Sequence, residues 1–413
     1  MTDEVAYQVL RDNYEQNVLL GNARYQEHAM LPTHRRLIAW LEERGELDRT
    51  LEFLPGDAEL DERGEAGHGL TSPEASVLMA YAKLALKADL QSSGLADEPF
   101  FTRTLAEYFP EPVRGRYAEE LQQHPLRREI IVNSVVNSLV NRGGITFAFR
   151  AMEETAASPE QITKAFVVAR EVFGLRDFVE QVEALDTKVP TDTQTWMYLE
   201  FRRLLDRATR WFLQNRPANL DVEAEIERFA DTVRRVQPQV AGLLQGSEHE
   251  RLREQADRLV DQGVPEELAV RAAGLLDLYS VLDIVEIARE TERPGDAVAR
   301  LYFLLSEHFG VDSLLTRVSA LPREDRWDAL ARGSMRDDLY AALGALTMAV
   351  LGSAGDLQDP GEQIERWEQL HADQLGRAQT SLTGIARIER PGIAPLSVAR
   401  RTLRSVIRSG AAD

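Results

Sequence analysis

The sequence predicts an all-α protein made of bundle-like, multi-helix domains without a sizeable sheet. The first observation is composition, because Leu, Ala, Glu and Arg, which favour helices, dominate a chain of 413 residues. The second is periodicity: apolar residues recur at helical spacing in most segments, while alternating β-branched stretches are scarce. The third is that Pro and Gly fall mostly between the periodic segments, where they separate one helix from the next.

Length and charge narrow the class of protein further. A chain of 413 residues exceeds what one hydrophobic core usually serves, so we expect two or three domains. The formal net charge of −20 repels nucleic acids and anionic membrane surfaces, and no Lys/Arg tract reverses its sign locally. The longest uncharged run, residues 339–355, falls short of the roughly 20 residues of a membrane span and predicts a buried core helix. We therefore expect no nucleic acid and no membrane among the partners.

The cysteine content indicates the cellular compartment in which the protein works. The chain contains no cysteine, which excludes disulfide bonds and thiol nucleophiles and fits a reducing environment. Its N-terminal stretch is acidic and amphipathic and does not resemble a signal peptide. We expect a cytoplasmic protein.

The first 70 residues predict two helices and a connector. We expect helices over about residues 2–20 and 32–44, the second ending at Gly45. The stretch "FLPGDAELDERGEAGHGL" is rich in Gly and Asp and predicts an irregular connector over residues 51–70.

Residues 71–217 predict a helical domain. In "TSPEASVLMAYAKLALKADL", Ser72 is the expected N-cap and Pro73 the first helical residue. Ser158 and Gln161 predict a capping box at the start of another helix. The stretch "TDTQTWMYLEFRRLLDRATRWFLQNRP" predicts one long amphipathic helix that stops at its proline.

The segment "NRPANLD" is the predicted boundary to a C-terminal helical domain over residues 218–413. Apolar periodicity predicts its helices at about 221–236, 248–262, 265–291, 295–309, 324–352, 360–378 and 395–408. No fixed period relates these segments, so the sequence does not predict a solenoid.

The motifs of common catalytic and nucleotide sites do not occur in the sequence. No G-x-G-x-x-G follows a strand pattern, no G-x-x-x-x-G-K-[ST] occurs, and no serine lies in a G-x-S-x-G turn. A carboxylate-bridged metal site in a bundle needs two Glu-x-x-His pairs on helices. Glu368 and His371 lie on a predicted helix, but Glu65 and His68 lie in the glycine-rich connector. We expect no metal and no cofactor bound by this chain.

The basic-aromatic stretch "RRLLDRATRW" has two interpretations. It can bind a polyanion, or it can be the ion-pair face of a helix. Its arginines alternate with carboxylates at near-helical spacing, which favours the ion-pair face. The residues concerned are Arg202, Arg203, Arg207 and Arg210 with Glu200 and Asp206.

The stretch "NSVVNSLVNRGG" carries the main candidate site. Asn133, Asn137 and Asn141 recur every four residues and, with two serines, form a polar but uncharged face of a predicted helix. Asn and Ser are poorer helix formers than the Glu, Arg and Lys of the other polar faces. We therefore expect this face to lie partly buried against another helix, domain or subunit, with its amides hydrogen-bonded. Gly143 or Gly144 is expected to end the helix in the left-handed conformation.

The same helix end allows a second interpretation. Asn141, Arg142 and Thr146 can converge on a small molecule near Gly143 and Gly144. A self-contained ligand-sensing or protein-interaction module is therefore the alternative to a packing interface.

Several stretches resemble the C-terminal region of the large bacterial NAD-specific glutamate dehydrogenases. The resemblance runs through most of the chain, densely before about residue 216 and sparsely after it. The stretches are "VLRDNYEQN", "HRRLIAWLEERGELDRTLEFLP", "GLTSPEASVLMAYAKLAL", "LRREIIVNSVVNSLVNRGGITFAFR", "ITKAFVVAREVFGL", "ALDTKVP", "DRATRWFLQNR" and "MRDDLYAALGALTMAVL".

This resemblance implies a cytoplasmic, homo-oligomeric enzyme that oxidises L-glutamate to 2-oxoglutarate and ammonium with NAD as hydride acceptor. In that family the substrate lysines, the catalytic aspartate and the nucleotide-binding fold lie upstream of the matched region. No catalytic or NAD-binding residue is therefore carried over to this chain, and NAD is expected to bind elsewhere in the full-length enzyme. The implied partner is the upstream catalytic domain of the same polypeptide, with residues 1–50 as the closing helices of that core.

Overall fold

The computed structural model describes residues 2–321, 326–372, 375, 384–385, 388 and 392–409. All regular secondary structure in these residues is helical, which confirms the predicted all-α fold. The chain forms two compact units, residues 1–227 and residues 228–413, and the division falls within one helix. Residues 216–221, which belong to the predicted boundary segment, form the irregular stretch before that helix.

The helices of the first unit carry the candidate site. In chain order they are α1 (Thr2–Tyr25), α2 (Glu27–Glu43), α3 (Asp57–Glu65), α4 (Ser72–Gln91), α5 (Pro99–Tyr108), α6 (Glu111–Arg116), α7 (Ala118–Gln122), α8 (Arg127–Gly143), α9 (Phe147–Thr155), α10 (Pro159–Val172), α11 (Leu175–Glu183), α12 (Thr191–Asn215) and α13 (Val222–Val236), within which the division falls.

The second unit continues with shorter helices and one long helix. They are α14 (Val240–Leu243), α15 (Gly246–Asp261), α16 (Glu266–Ala273), α17 (Val281–Glu290), α18 (Gly295–His308), α19 (Val311–Ser319), α20 (Arg326–Ser353), α21 (Pro360–Leu370) and α22 (Ile393–Ser409).

α2 begins earlier than the sequence predicts. It starts at Glu27, so Pro32 lies inside the helix and not at its start. Leu31 on one side of the proline and Leu37 and Ile38 on the other are buried. This packing holds the helix together although the proline removes one backbone hydrogen bond.

The predicted connector is only partly irregular, because α3 lies within it. Leu60 on α3 is buried, and α3 packs against α2. Burial of one apolar residue outweighs the local turn signals of Gly and Asp, which is why the composition alone missed this helix.

Two capping boxes begin helices in the first unit. At α4 the cap is Thr71 and not Ser72: the Glu74 N–H donates to the Thr71 hydroxyl at 3.5 Å, and the Thr71 N–H donates to the Glu74 carboxylate at 2.7 Å. The expectation of Ser72 is wrong because the glutamate three residues after the cap decides the register. The predicted box at Ser158 and Gln161 is confirmed, with distances of 3.2 and 2.8 Å.

α10 is the central helix of the first unit. Residues 162–170 are all buried, so the helix has neighbours around its whole circumference. It packs along α12 and also against α4, α8, α9 and α11, while α8 in turn packs against α1, α4 and α5. The apolar face of α8 is buried, and this fixes the direction in which its asparagines point.

The helix predicted over residues 265–291 is wrong, because the chain breaks after Ala273. Gly274 and a short 3₁₀ turn at Asp277–Ser280 separate α16 from α17. A Cβ at Gly274 would lie 3.2 Å from the Leu252 side chain, so the break brings the backbone close to α15. The apolar pattern continues through the break because both helices are buried. α19 was not predicted, and the expected end of α21 near residue 378 falls partly outside the described residues.

The longest uncharged run lies on α20. Leu339, Leu343, Leu346 and Val350 on this run are buried, as expected for a core helix. In the part of the chain that the structure describes, no helix is both long and apolar enough to cross a membrane.

Candidate functional site

The asparagines lie on the face of α8 opposite its apolar side chains. Asn133 and Asn137 are half-buried and Asn141 is buried, as are Ile131 and Leu139 on the apolar face. The two serines between the asparagines are half-buried as well. Neither face of the helix is simply exposed to water.

The polar face meets different neighbours along its length. The Asn133 carboxamide oxygen accepts a long hydrogen bond from the Lys87 ammonium of α4 at 3.5 Å. Ser138 accepts a shorter one, 2.7 Å, from the Arg170 guanidinium of α10. Asn137 makes no side-chain hydrogen bond within the described part of the chain. For Asn137 the expected hydrogen bond, whose partner can come from another domain or subunit, therefore stays a prediction.

Four charged side chains meet at the C-terminal end of α8. Arg142 donates to Glu15 of α1 and, at 3.2 Å, to Glu183 of α11. Arg11 of α1 lies 3.3 Å from Glu15 and 3.6 Å from Glu183. We call Arg11, Glu15, Arg142 and Glu183 the corner cluster. Its two guanidinium groups neutralise its two carboxylates, so ion pairing replaces much of the hydration that these charges lose on burial.

Asn141 completes the corner cluster from one side. Its amide nitrogen donates to the Glu15 carboxylate at 3.4 Å. Its carboxamide oxygen is buried and accepts no hydrogen bond from any described residue. An unpaired buried acceptor costs about 1–3 kcal/mol, so this oxygen lowers the stability that the corner cluster provides.

Arg202 of α12 caps the end of α8. Its Nε donates to the carbonyl of Arg142 at 3.1 Å, and its Nη2 donates to the carbonyl of Asn141 at 3.2 Å. The last carbonyls of a helix have no partner within the helix, and a cation is favourable there. Burial and the nearby Arg142 lower the pKa of Arg202 to about 10. The guanidinium remains charged at neutral pH.

The role of Arg202 differs from the sequence expectation of a common ion-pair face. Arg210 does pair with Asp206 at 2.8 Å, and Arg203 does pair with Glu200 at 2.5 Å. Arg202 instead binds backbone carbonyls. The capping role of Arg202 follows from the unpaired carbonyls at the end of α8, which need donors. The spacing of residues along α12 gives no information about that need.

The two glycines have separate roles at this helix end. Gly144 has φ 109° and ψ 162°, which is a positive-φ extended conformation and not the predicted left-handed one. This conformation turns the chain away from α8 towards α9, and it suits only glycine. Gly143 remains helical, and a Cβ there would lie 2.7 Å from the Phe147 ring. The close approach of α9 therefore also requires glycine.

Thr146 does not join the corner cluster through any hydrogen bond in the described chain. Its hydroxyl accepts a hydrogen bond from the Arg150 Nε at 3.2 Å. Arg150 also binds Asp206 of α12 at 2.8 Å. Thr146 is buried and binds Arg150, which links α9 to α12, whereas Asn141 and Arg142 link α8 to α1 and α11.

Glu368 and His371, the Glu-x-x-His pair on a helix, are engaged in other contacts. The Glu368 carboxylate lies 2.8 Å from the His308 Nε2, and the His371 Nδ1 lies 2.7 Å from the Trp367 carbonyl. Within the described ranges no group of three or more His, Asp or Glu side chains has the geometry to hold a metal ion.

An open cavity of about 480 Å³ lies elsewhere in the first unit, between α5, the start of α11 and the start of α13. Ion pairs cross its wall: Arg103 lies 2.8 Å from Glu223, and Arg176 lies 3.0 Å from Glu171. Glu107 and Glu227 add further carboxylates. The charged groups of the wall thus largely pair with one another, with an excess of negative charge.

Comparison with known proteins places the chain next to one group of enzymes. The sequence profile described as "Glutamate dehydrogenase, C-terminal" matches residues 67–405. The chain is 40% identical over 409 residues to an NAD-specific glutamate dehydrogenase of Mycobacterium tuberculosis. It is 38% identical over 409 residues to that of Halomonas elongata and 36% identical over 413 residues to that of Pseudomonas aeruginosa. Each match covers 99% of this chain but 25% of the relative, so the chain spans a quarter of their length.

Proposed function

The chain belongs to the glutamate dehydrogenase C-terminal family, and from this premise we propose that it is the C-terminal helical portion of an NAD-dependent glutamate dehydrogenase. The full enzyme would oxidise L-glutamate to 2-oxoglutarate and ammonium. In this proposal the chain contributes packing within and between domains or subunits, and through that packing regulation, but no catalytic residues.

The corner cluster is the observation that supports a packing role. The polar groups at the end of α8 are occupied by Glu15, Glu183 and Arg202, which come from three other helices. A binding site for a small molecule keeps some of its polar groups available to the ligand. Here nearly every such group binds the protein itself, so the corner cluster connects α1, α8 and α11, and Arg202 adds α12 to them.

The described residues do not suit the site that NAD requires in the nucleotide-binding folds. Those folds hold the pyrophosphate where a parallel strand turns through a glycine-rich loop into a helix. The regular structure of the described residues is helical. We therefore propose that the NAD site lies in the other three-quarters of the enzyme.

The first experiment is an activity assay on two proteins. The isolated chain, mixed with glutamate and NAD, is expected to produce no NADH, while the full-length enzyme from the same gene does. Turnover by the isolated chain would sink the proposal that it carries no catalytic residues. Failure of the full-length enzyme to turn over glutamate with NAD would overturn the enzyme assignment itself.

Assembly and location are part of the same proposal. We propose that the full-length enzyme is a cytoplasmic homo-oligomer. Light scattering on the full-length enzyme and on a form that lacks residues 67–413 tests the contribution of this region. An unchanged oligomer after the deletion contradicts a packing role between subunits.

The unpaired oxygen of Asn141 supports a second candidate, a ligand-sensing module at the end of α8. Calorimetry of the isolated chain against amino acids and nucleotides should then give saturable binding that Asn141→Ala and Arg142→Ala remove. A variant at the exposed pair, Arg103→Ala, serves as the control because it lies outside this corner. No heat with any compound leaves the packing role as the better account.

A further inference from the structure

A turn between α2 and α3 presents apolar side chains to solvent. Phe53 is 90% exposed and Leu51 is 70% exposed. Leu84 on α4 is 58% exposed, and Tyr81, one helical turn before it, donates its hydroxyl to Glu52 of the turn at 2.6 Å. We call Leu51, Phe53 and Leu84 the apolar tip. Large apolar side chains grouped on a surface are typical of sites where another protein surface binds.

Hydrogen bonds hold this turn in one conformation. The Asp48 carboxylate accepts from the N–H groups of Thr50 and Leu51, both at 3.0 Å. The N–H of Leu54 donates to the Arg49 carbonyl, also at 3.0 Å. Leu54 is itself buried, so the end of the turn is anchored in the core. The position of the apolar tip is therefore set before any partner arrives, which lowers the entropy lost on binding.

Phe53 occupies an unfavourable backbone conformation. Its φ is +54°, in the left-handed region where a side chain with a Cβ crowds the backbone. Glycine or asparagine would form the same turn with less strain. An aromatic residue in this conformation, with its ring in water, brings no stability to the isolated chain. Such strain is typical of a residue that acts in binding.

The place of the turn within the relatives indicates what covers it. The C-terminal profile begins at residue 67, so the apolar turn at 51–53 precedes it. The matches to the relatives nevertheless extend over 99% of this chain, and three-quarters of each relative lies outside the match. Residues 51–53 thus lie before the C-terminal profile, within the stretch that these relatives share with this chain, and a large part of each relative remains that could cover them.

We propose that the apolar tip docks into an apolar pocket on the remaining part of the same polypeptide, with Phe53 as the central anchor. This inference rests on the proposed function, because it requires that the chain is part of a larger enzyme. Aromatic anchors that fill a pocket contribute a large share of the free energy of such interfaces. The turn then fixes the helical region against the part of the enzyme that carries the chemistry.

Hydroxyl-radical footprinting of the full-length enzyme and of the isolated chain tests this docking directly. Oxidation of Phe53 should be about tenfold slower in the full-length enzyme, because docking would reduce its exposure from 90% to the level of a core residue. Tyr117, which is 42% exposed and lies within the profile match, is the control and should oxidise at the same rate in both proteins. Equal rates for Phe53 in the two proteins overturn the proposal.

A substitution gives an independent readout. Phe53→Glu should leave the thermal midpoint of the isolated chain unchanged or higher, because the ring contributes little there. In the full-length enzyme it should restore the fast oxidation of Leu51 and Leu84. Leu370→Glu, at a side chain that is 64% exposed on α21, is the matched control and should change neither protein. A full-length Phe53→Glu enzyme with unchanged protection at Leu51 and Leu84 contradicts the anchor role.

Three further outcomes separate the competing explanations. Protection of Phe53 that appears in the isolated chain as its concentration rises indicates a second copy as the occupant and overturns docking within one polypeptide. A full-length protein that protects Phe53 but does not oxidise glutamate with NAD supports the docking surface and contradicts the enzyme assignment. A full-length protein that oxidises glutamate with NAD but does not protect Phe53 supports the enzyme assignment and contradicts the docking surface.

Discussion

Two clusters of charged side chains, one in each unit, differ in the balance between their positive and negative groups. The corner cluster in the first unit has two guanidinium groups and two carboxylates in contact. In the second unit, Glu248 at the start of α15 lies near Asp277, Glu307 and Asp312, with Arg251 as the cation that faces it. We call Glu248, Asp277, Glu307 and Asp312 the acid cluster. Burial and then three other carboxylates raise the pKa of Glu248, and Arg251 lowers it.

The two clusters differ in how completely their charged groups are paired. In the acid cluster, Arg251 binds Asp277 at 3.0 Å and the Ser247 hydroxyl donates to Asp312 at 3.0 Å. One oxygen of Glu248, however, is buried and has no hydrogen-bond partner among the described residues. Burial first, and then Asp277 and Asp312, raise the pKa of Glu248 to about 8. The helix N-terminus favours a negative charge on Glu248, but this effect is smaller than the loss of hydration. The balanced charges of the corner cluster therefore hold its helices together, whereas the excess of carboxylates in the acid cluster makes the stability of the second unit depend on pH.

The largest expected effect comes from breaking the balance of the corner cluster. Arg142→Met leaves Glu15 and Glu183, whose side chains are only 13% and 15% exposed, with Arg11 as their remaining cation. Removing one partner of a buried pair should lower the free energy of unfolding of the isolated chain by about 4 kcal/mol. Denaturation in urea, followed by circular dichroism, measures the change.

The control for this variant is an exposed ion pair. Arg103 and Glu223 are 62% and 45% exposed, so Arg103→Met should cost under about 1 kcal/mol. Adding Glu183→Gln to Arg142→Met should recover part of the loss, because it removes an unbalanced carboxylate. Equal losses for Arg142→Met and Arg103→Met would show that charge balance at the corner does not stabilise the fold.

The second prediction concerns the pH dependence of the acid cluster. The pKa of Glu248 is raised in the folded state, so the folded state binds a proton that the unfolded state has released. Stability from this group is present at low pH and is lost as pH rises towards the folded pKa of about 8. Between pH 5 and pH 8 the loss should be on the order of 3 kcal/mol.

Glu248→Gln isolates this contribution from the other titrating groups. The amide resembles the protonated acid at every pH, so the difference in unfolding free energy between variant and wild type should grow from pH 5 to pH 8. Urea denaturation at a series of pH values gives this difference. A difference that is constant over the range contradicts a raised pKa in the acid cluster.

Local signals in the sequence predicted many of the helices, and the polar face of α8, but not the partners of that face. The capping box at Ser158 and the stop before Pro217 depend on residues a few positions apart, and both appear in the structure. Arg142 binds Glu15, which is 127 positions away, and no local pattern links the two. The α16–α17 break was missed for the same reason, because a tertiary contact at Gly274 outweighs helical periodicity.

The third prediction tests the cap that Arg202 provides beside the corner cluster. Arg202→Met leaves the carbonyls of Asn141 and Arg142 without these donors, and two hydrogen bonds from a charged group are lost. The isolated chain should lose about 2 kcal/mol. Arg235→Met, which removes an exposed guanidinium from its exposed partner Asp231, should cost about 0.5 kcal/mol or less. Similar losses in the two urea titrations would mean that the capping bonds add nothing to stability.

The smallest effect is expected at Asn137, and it decides how the polar face of α8 is used. Asn137 is half-buried and forms no side-chain hydrogen bond with the described residues of its own chain. Because alanine is the better helix former, Asn137→Ala should stabilise the isolated chain by about 0.5 kcal/mol.

In the full-length enzyme the same change should be destabilising if the Asn137 amide binds a group from another domain or subunit. Thermal unfolding of both proteins, each with and without Asn137→Ala, therefore gives opposite signs for an interface and equal signs for a face that meets only water. A loss in the isolated chain contradicts both outcomes, and would mean that Asn137 is paired within the chain, as Asn141 is with Glu15.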